Sequence, residues 1–520
     1  MSKTWTRDDV AAEILTGAHL VIYNDTVLRI SSSWLDHHPG GALSILHFVG
    51  RDATDEIDSY HPDHVLDLVR KYKVGTVQLP WRPLVPPVMS GWVRTTTNAW
   101  HNEADAVRSA ASTQILLVPA KNHLDGLDAP TRDCLEPGPS NLSFEDQARH
   151  SAAYKVLHKR VRDAGLYNTR YLAGYGPELL RYTLLAGLSI YAYRHSWFIA
   201  SALCLGLMWQ QLTFTAHDLG HVSVTHNWAI DRLLGILIAD WIGGLSIGWW
   251  VNNHNVHHLV PNHPTHDPDI EHLPFFAISP VFFESIWSSY YKRTLHFDRF
   301  AKFFVAIQHR LFHIVLLLAR FNLYANSYPF ILKKAFDTKR ARGGRWAWGL
   351  EVAGIVFFWY WFSCVLIGTG SWKNGFIYLL VSHVAAAPVH IQIVLSHFSM
   401  STADLGPSES FAYRQLRTTT DVICPDSIGW IHGGLQLQVT HHLFPRLPRH
   451  NLKAASLLVK EFAEEQGLVY AEFGWIRGNQ DVLGVLKSVA DQVRIIGTVA
   501  EAEAKEAVDR KLGIHEDKKA

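Results

Sequence analysis

From residue 177 onward, apolar positions stop alternating with polar ones and run in long blocks. Pro177–Tyr193 and Trp197–Thr215 each approach the roughly 20 residues that cross a bilayer as a helix. Only Arg194-His195-Ser196 separates them, which predicts an antiparallel pair. Trp346–Gly368 and Trp372–Leu395 form a second pair across the short link Thr369–Ser371. Ile230–Trp250 is apolar but carries Asp231, Arg232 and Asp240, so it predicts an interfacial or re-entrant segment. Phe300–Tyr324 intersperses Lys302, His309, Arg310, His313 and Arg320 among apolar residues, the pattern of an amphipathic helix lying on a membrane surface.

The first third follows other periods. Residues 1–79 predict a compact α+β unit, with Thr6 and Asp9 as an N-cap ahead of Val10–Leu15. His19–Ile30 has the alternation of a β-hairpin turning at Asn24-Asp25, and Leu43–Val49 an apolar helix. Residues 80–150 have the proline-rich composition of a linker, within which Val93–Ala110 predicts an amphipathic helix. A mostly helical membrane domain spans 151–470, and 471–520 is a helical tail, charged and solvated after 498.

Composition narrows the classes. A net charge of +1 leaves no electrostatic footprint for nucleic acid. The four cysteines are scattered, which argues against a disulfide framework or a cysteine zinc site and for a reducing compartment. The N-terminus has no apolar signal region, so insertion is expected to use internal segments and to leave that end in the cytosol. Two spans then return the chain to the cytosolic side, and two more do so again. The loop between the pairs carries Lys292, Arg293, Lys333, Lys334, Lys339, Arg340, Arg342 and Arg345, as cytosolic loops do.

Candidate chemistry lies in the histidines, 31 of 520 residues. His38-Pro39-Gly40-Gly41, followed by His61, can place two imidazoles on the two faces of a haem iron; such a centre moves electrons but binds no oxygen. With Gly50-Arg-Asp-Ala-Thr-Asp-Glu-Ile and Tyr72-Lys-Val-Gly-Thr-Val, residues 4–79 resemble a cytochrome b5 domain. His37 competes with His38 as ligand, and the resemblance favours His38.

Seven further imidazoles form three boxes: His217 with His221; His254, His257 and His258; and His441 with His442. Spacings of i, i+3 and i+4 bring helical neighbours onto one face. The span count puts all three boxes on one side of the membrane. Seven imidazoles exceed one tetrahedral zinc and suit two metals, each with a position open for a small molecule. Asp218, Asn253 and Asp269 are candidates to orient ligand imidazoles through their outward N–H, or simply local caps. Trp249 and Trp250 either line an acyl tunnel or anchor the interface. His383 and His390, inside the fourth span, read as pore-lining or hydrogen-bonded rather than as ligands; His263, His266, His272 and His432 match no ligand spacing.

Together with the haem unit, the boxes resemble the cytochrome b5-fusion, front-end membrane desaturases, most like the fungal sphingolipid Δ8 group. That group's mark is glutamine opening the third box, here Gln438, and Asp267-Pro-Asp269-Ile after the second box is similar too. The resemblance implies an eighth ligand, His397, and a supporting place for Gln438. It also implies haem b, two non-haem irons, O2, a ceramide or other lipid substrate, and electrons from an NADH-cytochrome b5 reductase. No dinucleotide-binding G-x-G-x-x-G followed by an acidic residue is present to take NADH directly. The implied setting is the endoplasmic reticulum membrane, with boxes and haem unit cytosolic. A Δ5/Δ6 acyl desaturase, a b5-fused lipid hydroxylase and a non-catalytic haem or metal carrier are the alternatives.

Overall fold

The computed structural model describes residues 3–95, 99–104, 127–337 and 343–511. The N-terminal unit is a four-stranded sheet with helices around it, in the order Thr4–Trp5, Lys73–Val77, Thr26–Ile30, His19–Tyr23. The first two strands are parallel and the other pairs antiparallel. Thr6 caps the helix Arg7–Leu15 by accepting the Asp9 N–H, while the Asp9 carboxylate takes the Thr6 N–H. The hairpin turns on Asn24 and Asp25, both at positive φ (44° and 57°), as a two-residue turn between right-twisted strands requires. The apolar helix is shorter than Leu43–Val49, ending at Leu46. Beyond it Gly50, at φ +82°, turns the chain so that its N–H reaches Leu20 O.

Much of the following stretch is pinned rather than free. Trp81, Leu84 and Leu135 are buried in the core of the N-terminal unit, with Trp5, Ile14 and Ile22. The helix expected over Val93–Ala110 is corrected where it is described. Trp92–Arg94 and Trp100–Asn102 pair as an antiparallel hairpin, since their aromatic and β-branched side chains suit cross-strand packing. The rest of that segment lies outside the described residues. Helix Phe144–Asp163 then leads into the membrane domain.

Among the described residues, four helices are long and apolar enough to cross a membrane: Phe198–Gly220, Arg299–Leu317, Gly344–Gly368 and Trp372–Leu395. Gly176–Arg194, expected as the first span, falls outside that set; Glu178, Arg181 and Arg194 dilute its apolar run. It nevertheless packs along Phe198–Gly220 and exposes Leu180, Leu184, Leu188 and Ile190, an apolar face of the kind lipid covers. Arg299–Leu317 qualifies by length and composition, yet one face buries Val305, Phe312 and Leu316 against Val482, Leu486 and Val489. The latter belong to Trp475–Lys511, whose outer side carries Lys487, Asp491 and Arg494. Such a charged partner belongs at the surface rather than in hydrocarbon. Gly206 lets Phe198–Gly220 approach Trp372–Ala385 closely; a Cβ there would collide with the Ser382 carbonyl.

The re-entrant segment is a broken helix, Trp228–Ile242 followed by Ile247–Leu259 after a bend of 114°. A buried carboxylate holds the bend. Glu351 takes the Ser246 hydroxyl (2.6 Å), the Gly248 N–H (3.2 Å) and the Arg232 guanidinium (2.5 Å). This bend aims the second box at the first.

Candidate metal centre

Each box ends an element that packs toward one buried point. His217 and His221 close Phe198–Gly220, while His254, His257 and His258 line the last turns of Ile247–Leu259. His441 and His442 lie on the short helix Gln438–Leu443, and His397 follows the end of Pro388–Leu395. Every one of these side chains is buried.

The eight imidazoles sort into two groups by their ring nitrogens. His217, His221, His254, His258 and His441 form one; His257, His397 and His442 form the other, with donor atoms within 4.8 Å of one another in each. In the first, His258 Nε2 lies 3.0 Å from His254 Nε2 and 3.2 Å from His441 Nε2. Two ligands each about 2 Å from a metal ion stand about 3 Å apart, so this spacing fits a shared cation. The Nε2 atoms of His217, His221, His257 and His442 are buried without a hydrogen-bond partner, a costly state that a cation would relieve. Burial first, then neighbouring imidazoles, hold His441 and His442 well below the ordinary histidine range, so both keep neutral rings with lone pairs to donate.

Outer contacts set which nitrogen is free. The Asp267 carboxylate accepts His257 Nδ1–H at 2.9 Å, and is itself held by the Asn262 N–H and the Asp269 N–H. Gln415 donates its amide to His258 O (2.9 Å), so its Oε1 accepts His442 Nδ1–H (3.0 Å). Both contacts turn Nε2 toward the group. In the sequence Asp267 has no role beyond its place in the Asp267-Pro-Asp269-Ile run, its one signal, and Gln415 has none at all.

The expected supporting residues are distributed differently. Asp269 approaches His254 Nδ1 at 3.5 Å, and Asn253 donates to Asp269 (2.5 Å) rather than to an imidazole. Asp218 is engaged by Tyr175 (2.9 Å) and Arg449 (3.2 Å), and only its other oxygen reaches His217, at 3.5 Å. Gln438 lies 3.3 Å from His397 Nε2. Trp250 stacks on His254 with ring centroids 4.3 Å apart, walling the first group instead of anchoring a membrane interface. His383 bonds to the Leu379 carbonyl and the Tyr324 hydroxyl, away from both groups.

In the N-terminal unit His38 and His61 face each other with ring centroids 6.1 Å apart. Their Nδ1–H groups are taken by Gly41 O (3.1 Å) and Ile57 O (2.9 Å), leaving Nε2 of each for a metal between them. Two axial imidazoles each about 2 Å from an iron suit that gap. Burial, then the facing His38, pulls His61 down to about 4, so it stays neutral. His37 is exposed and bonds back to Ser33 O, outside the gap.

The comparisons agree with this geometry. The fatty acid desaturase family matches residues 194–474, and the cytochrome b5-like haem/steroid binding domain matches residues 6–78. A "Delta 8-(E)-sphingolipid desaturase" of Emericella nidulans is 40% identical, covering 97% of each chain. A protein of the same name from Komagataella phaffii is 41% identical over 94% of each chain. The "Delta(8)-fatty-acid desaturase 2" of Arabidopsis thaliana is 32% identical over 89% of this chain and 88% of its own. The chain belongs to the fatty acid desaturase family, with a cytochrome b5-like domain at its N-terminal end.

Proposed function

We propose that this protein introduces a Δ8 double bond into the long-chain base of ceramide, using O2 and electrons received through its own haem domain. Family membership makes it an oxidoreductase acting on a lipid, and its apolar helices make it a multi-pass membrane protein. The observation that carries the chemistry is the convergence of eight buried imidazoles in two groups beside a facing His38–His61 pair. The substrate reading is supported by the names of relatives about 40% identical over nearly the whole chain. The plant relative's name favours a second reading, an acyl substrate. The proposed cofactors are haem b at His38 and His61 and two non-haem irons at the eight histidines. The proposed setting is the endoplasmic reticulum, with these sites cytosolic and an NADH-cytochrome b5 reductase as donor.

When bound, the irons supply the oxidising power that acid–base side chains lack toward an unactivated C–H bond. The chain's own residues do the rest. Asp267 holds the proton on His257 Nδ1 and Gln415 that on His442 Nδ1, so that both rings present Nε2. Burial of all eight rings keeps bulk water away. His38 and His61, with their Nδ1–H groups taken by Gly41 O and Ile57 O, would hold a haem iron through Nε2, and the haem would supply electron transfer there. Asp267→Asn will lower retention of non-haem iron about 10–100-fold while the haem spectrum stays unchanged, as iron analysis after dialysis will read.

The function test is lipid analysis of cells with and without the gene, and of a host lacking the activity that expresses it. Gain and loss of the Δ8 double bond in the long-chain base is the expected result. An unchanged base profile overturns it; a new Δ5 or Δ6 acyl bond would point to the acyl reading. A product retaining 18O from O2 would identify a hydroxylase.

A further inference from the structure

The helix Thr54–Tyr60 runs directly into His61, and its buried Asp55, Glu56 and Ser59 contact the desaturase domain. Asp55 accepts the Ser151 hydroxyl at 2.6 Å. Glu56 pairs with Arg414 at 2.6 Å, with both side chains only 7% exposed. Ser59 Oγ lies 2.8 Å from the Tyr154 hydroxyl, which donates to the Leu443 carbonyl at 2.6 Å. Tyr60 presents its ring edge-on to His258, with centroids 6.3 Å apart.

These contacts end on the metal boxes themselves. Leu443 follows His441 and His442, and Arg414 precedes the Gln415 that holds His442. Leu259, next to His258, is buried among Val21, Phe48 and Ala53 of the haem domain. A domain that only swings on a tether would not bury a complementary ion pair or share an apolar cluster with its target. The buried Tyr60 hydroxyl has no hydrogen-bond partner, so hydrogen bonding does not account for a tyrosine there. Its ring meets His258, while its backbone continues directly into His61.

We propose that the helix Thr54–Tyr60 is a latch that fixes the haem domain in one electron-competent pose, with Tyr60 bridging His61 and His258. The inference rests on the haem and iron reading above. An electron leaving a haem iron held by His38 and His61 would pass through this contact and reduce an iron held by the histidine cluster. Tyr60 is neither oxidised nor reduced, and its hydroxyl keeps its proton. Glu56 and Arg414 are positioning residues, acting through the pose they hold.

The test uses the full-length enzyme in lipid nanodiscs, loaded with haem and iron. Two readouts are followed: reoxidation of the pre-reduced haem on mixing with aerated ceramide, and deuterium uptake by residues 54–60 without turnover. Glu56→Arg will raise uptake and slow reoxidation about ten-fold, since breaking a buried pair is costly. Glu56→Arg with Arg414→Glu will recover both. Tyr60→Leu will slow reoxidation with uptake unchanged, and Tyr60→Phe, which restores the ring, will recover the lost rate. Where Glu56→Arg fails to hold haem, Glu56→Gln and Tyr60→Leu decide by the same readouts. Reoxidation at the parent rate in Glu56 and Tyr60 variants that retain haem and iron overturns the latch. A parent enzyme whose haem reoxidation ignores the lipid would instead overturn the function reading.

Discussion

Replacing His441 with alanine will abolish desaturation and strip non-haem iron while leaving the haem spectrum intact. His441 Nε2 lies 3.2 Å from His258 Nε2, and its ring sits 4.5 Å from that of His217 and 4.9 Å from that of His221. It therefore stands against three of the other four members of the five-histidine group. Loss of an outer partner alone costs about 10–100-fold in metal affinity, so loss of a direct ligand should exceed about a hundred-fold. The haem pair lies in a separate unit with its own core, so it should be untouched. Iron and haem analysis of the same purified sample, beside product measurement in cells, reads the result. A variant with full iron and full turnover would remove His441 from the site.

The second large effect belongs to His61. His61→Ala removes one of two facing imidazoles, held in place by Ile57 O, and no other histidine approaches that gap among the described residues. The six-coordinate haem spectrum will be lost and non-haem iron will remain, the reverse of the His441 pattern. Product formation driven by NADH should fall about a hundred-fold, because a donor on the same chain acts at an effective concentration that a separate donor does not reach. Undiminished turnover without bound haem would show that electrons enter by another route. The two variants together separate electron input from the oxidising site.

Local pattern made much of this legible. The hairpin and its turn at Asn24-Asp25 follow from alternation and from residues that tolerate positive φ. The re-entrant reading of Ile230–Trp250 follows from the charges it carries, and the paired apolar helices follow from block length. One expectation failed for a physical reason. Val93–Ala110 reads as a helix by its period, but the described residues Trp92–Arg94 and Trp100–Asn102 pair as antiparallel strands, a cross-strand contact that helical periodicity does not register. Arg299–Leu317 reads as a surface helix from its interspersed charges; it is apolar enough to cross a bilayer, and its packing against the charged helix Trp475–Lys511 fits the surface reading.

By itself the sequence determined which histidines the structure brings together. His-Pro-Gly-Gly and the i, i+3 and i+4 boxes are local, and helix geometry alone gathers each box on one face. Only the tertiary structure decided how the boxes combine: five imidazoles in one group and three in the other, with Asp267 and Gln415 setting their tautomers. It also decided that the haem unit is docked, through Glu56 and Arg414, and not merely attached. The physical reason is separation along the chain. Glu56 and Arg414 meet across most of the sequence, and such a contact depends on how whole helices pack, which no local period of hydrophobic and polar residues encodes.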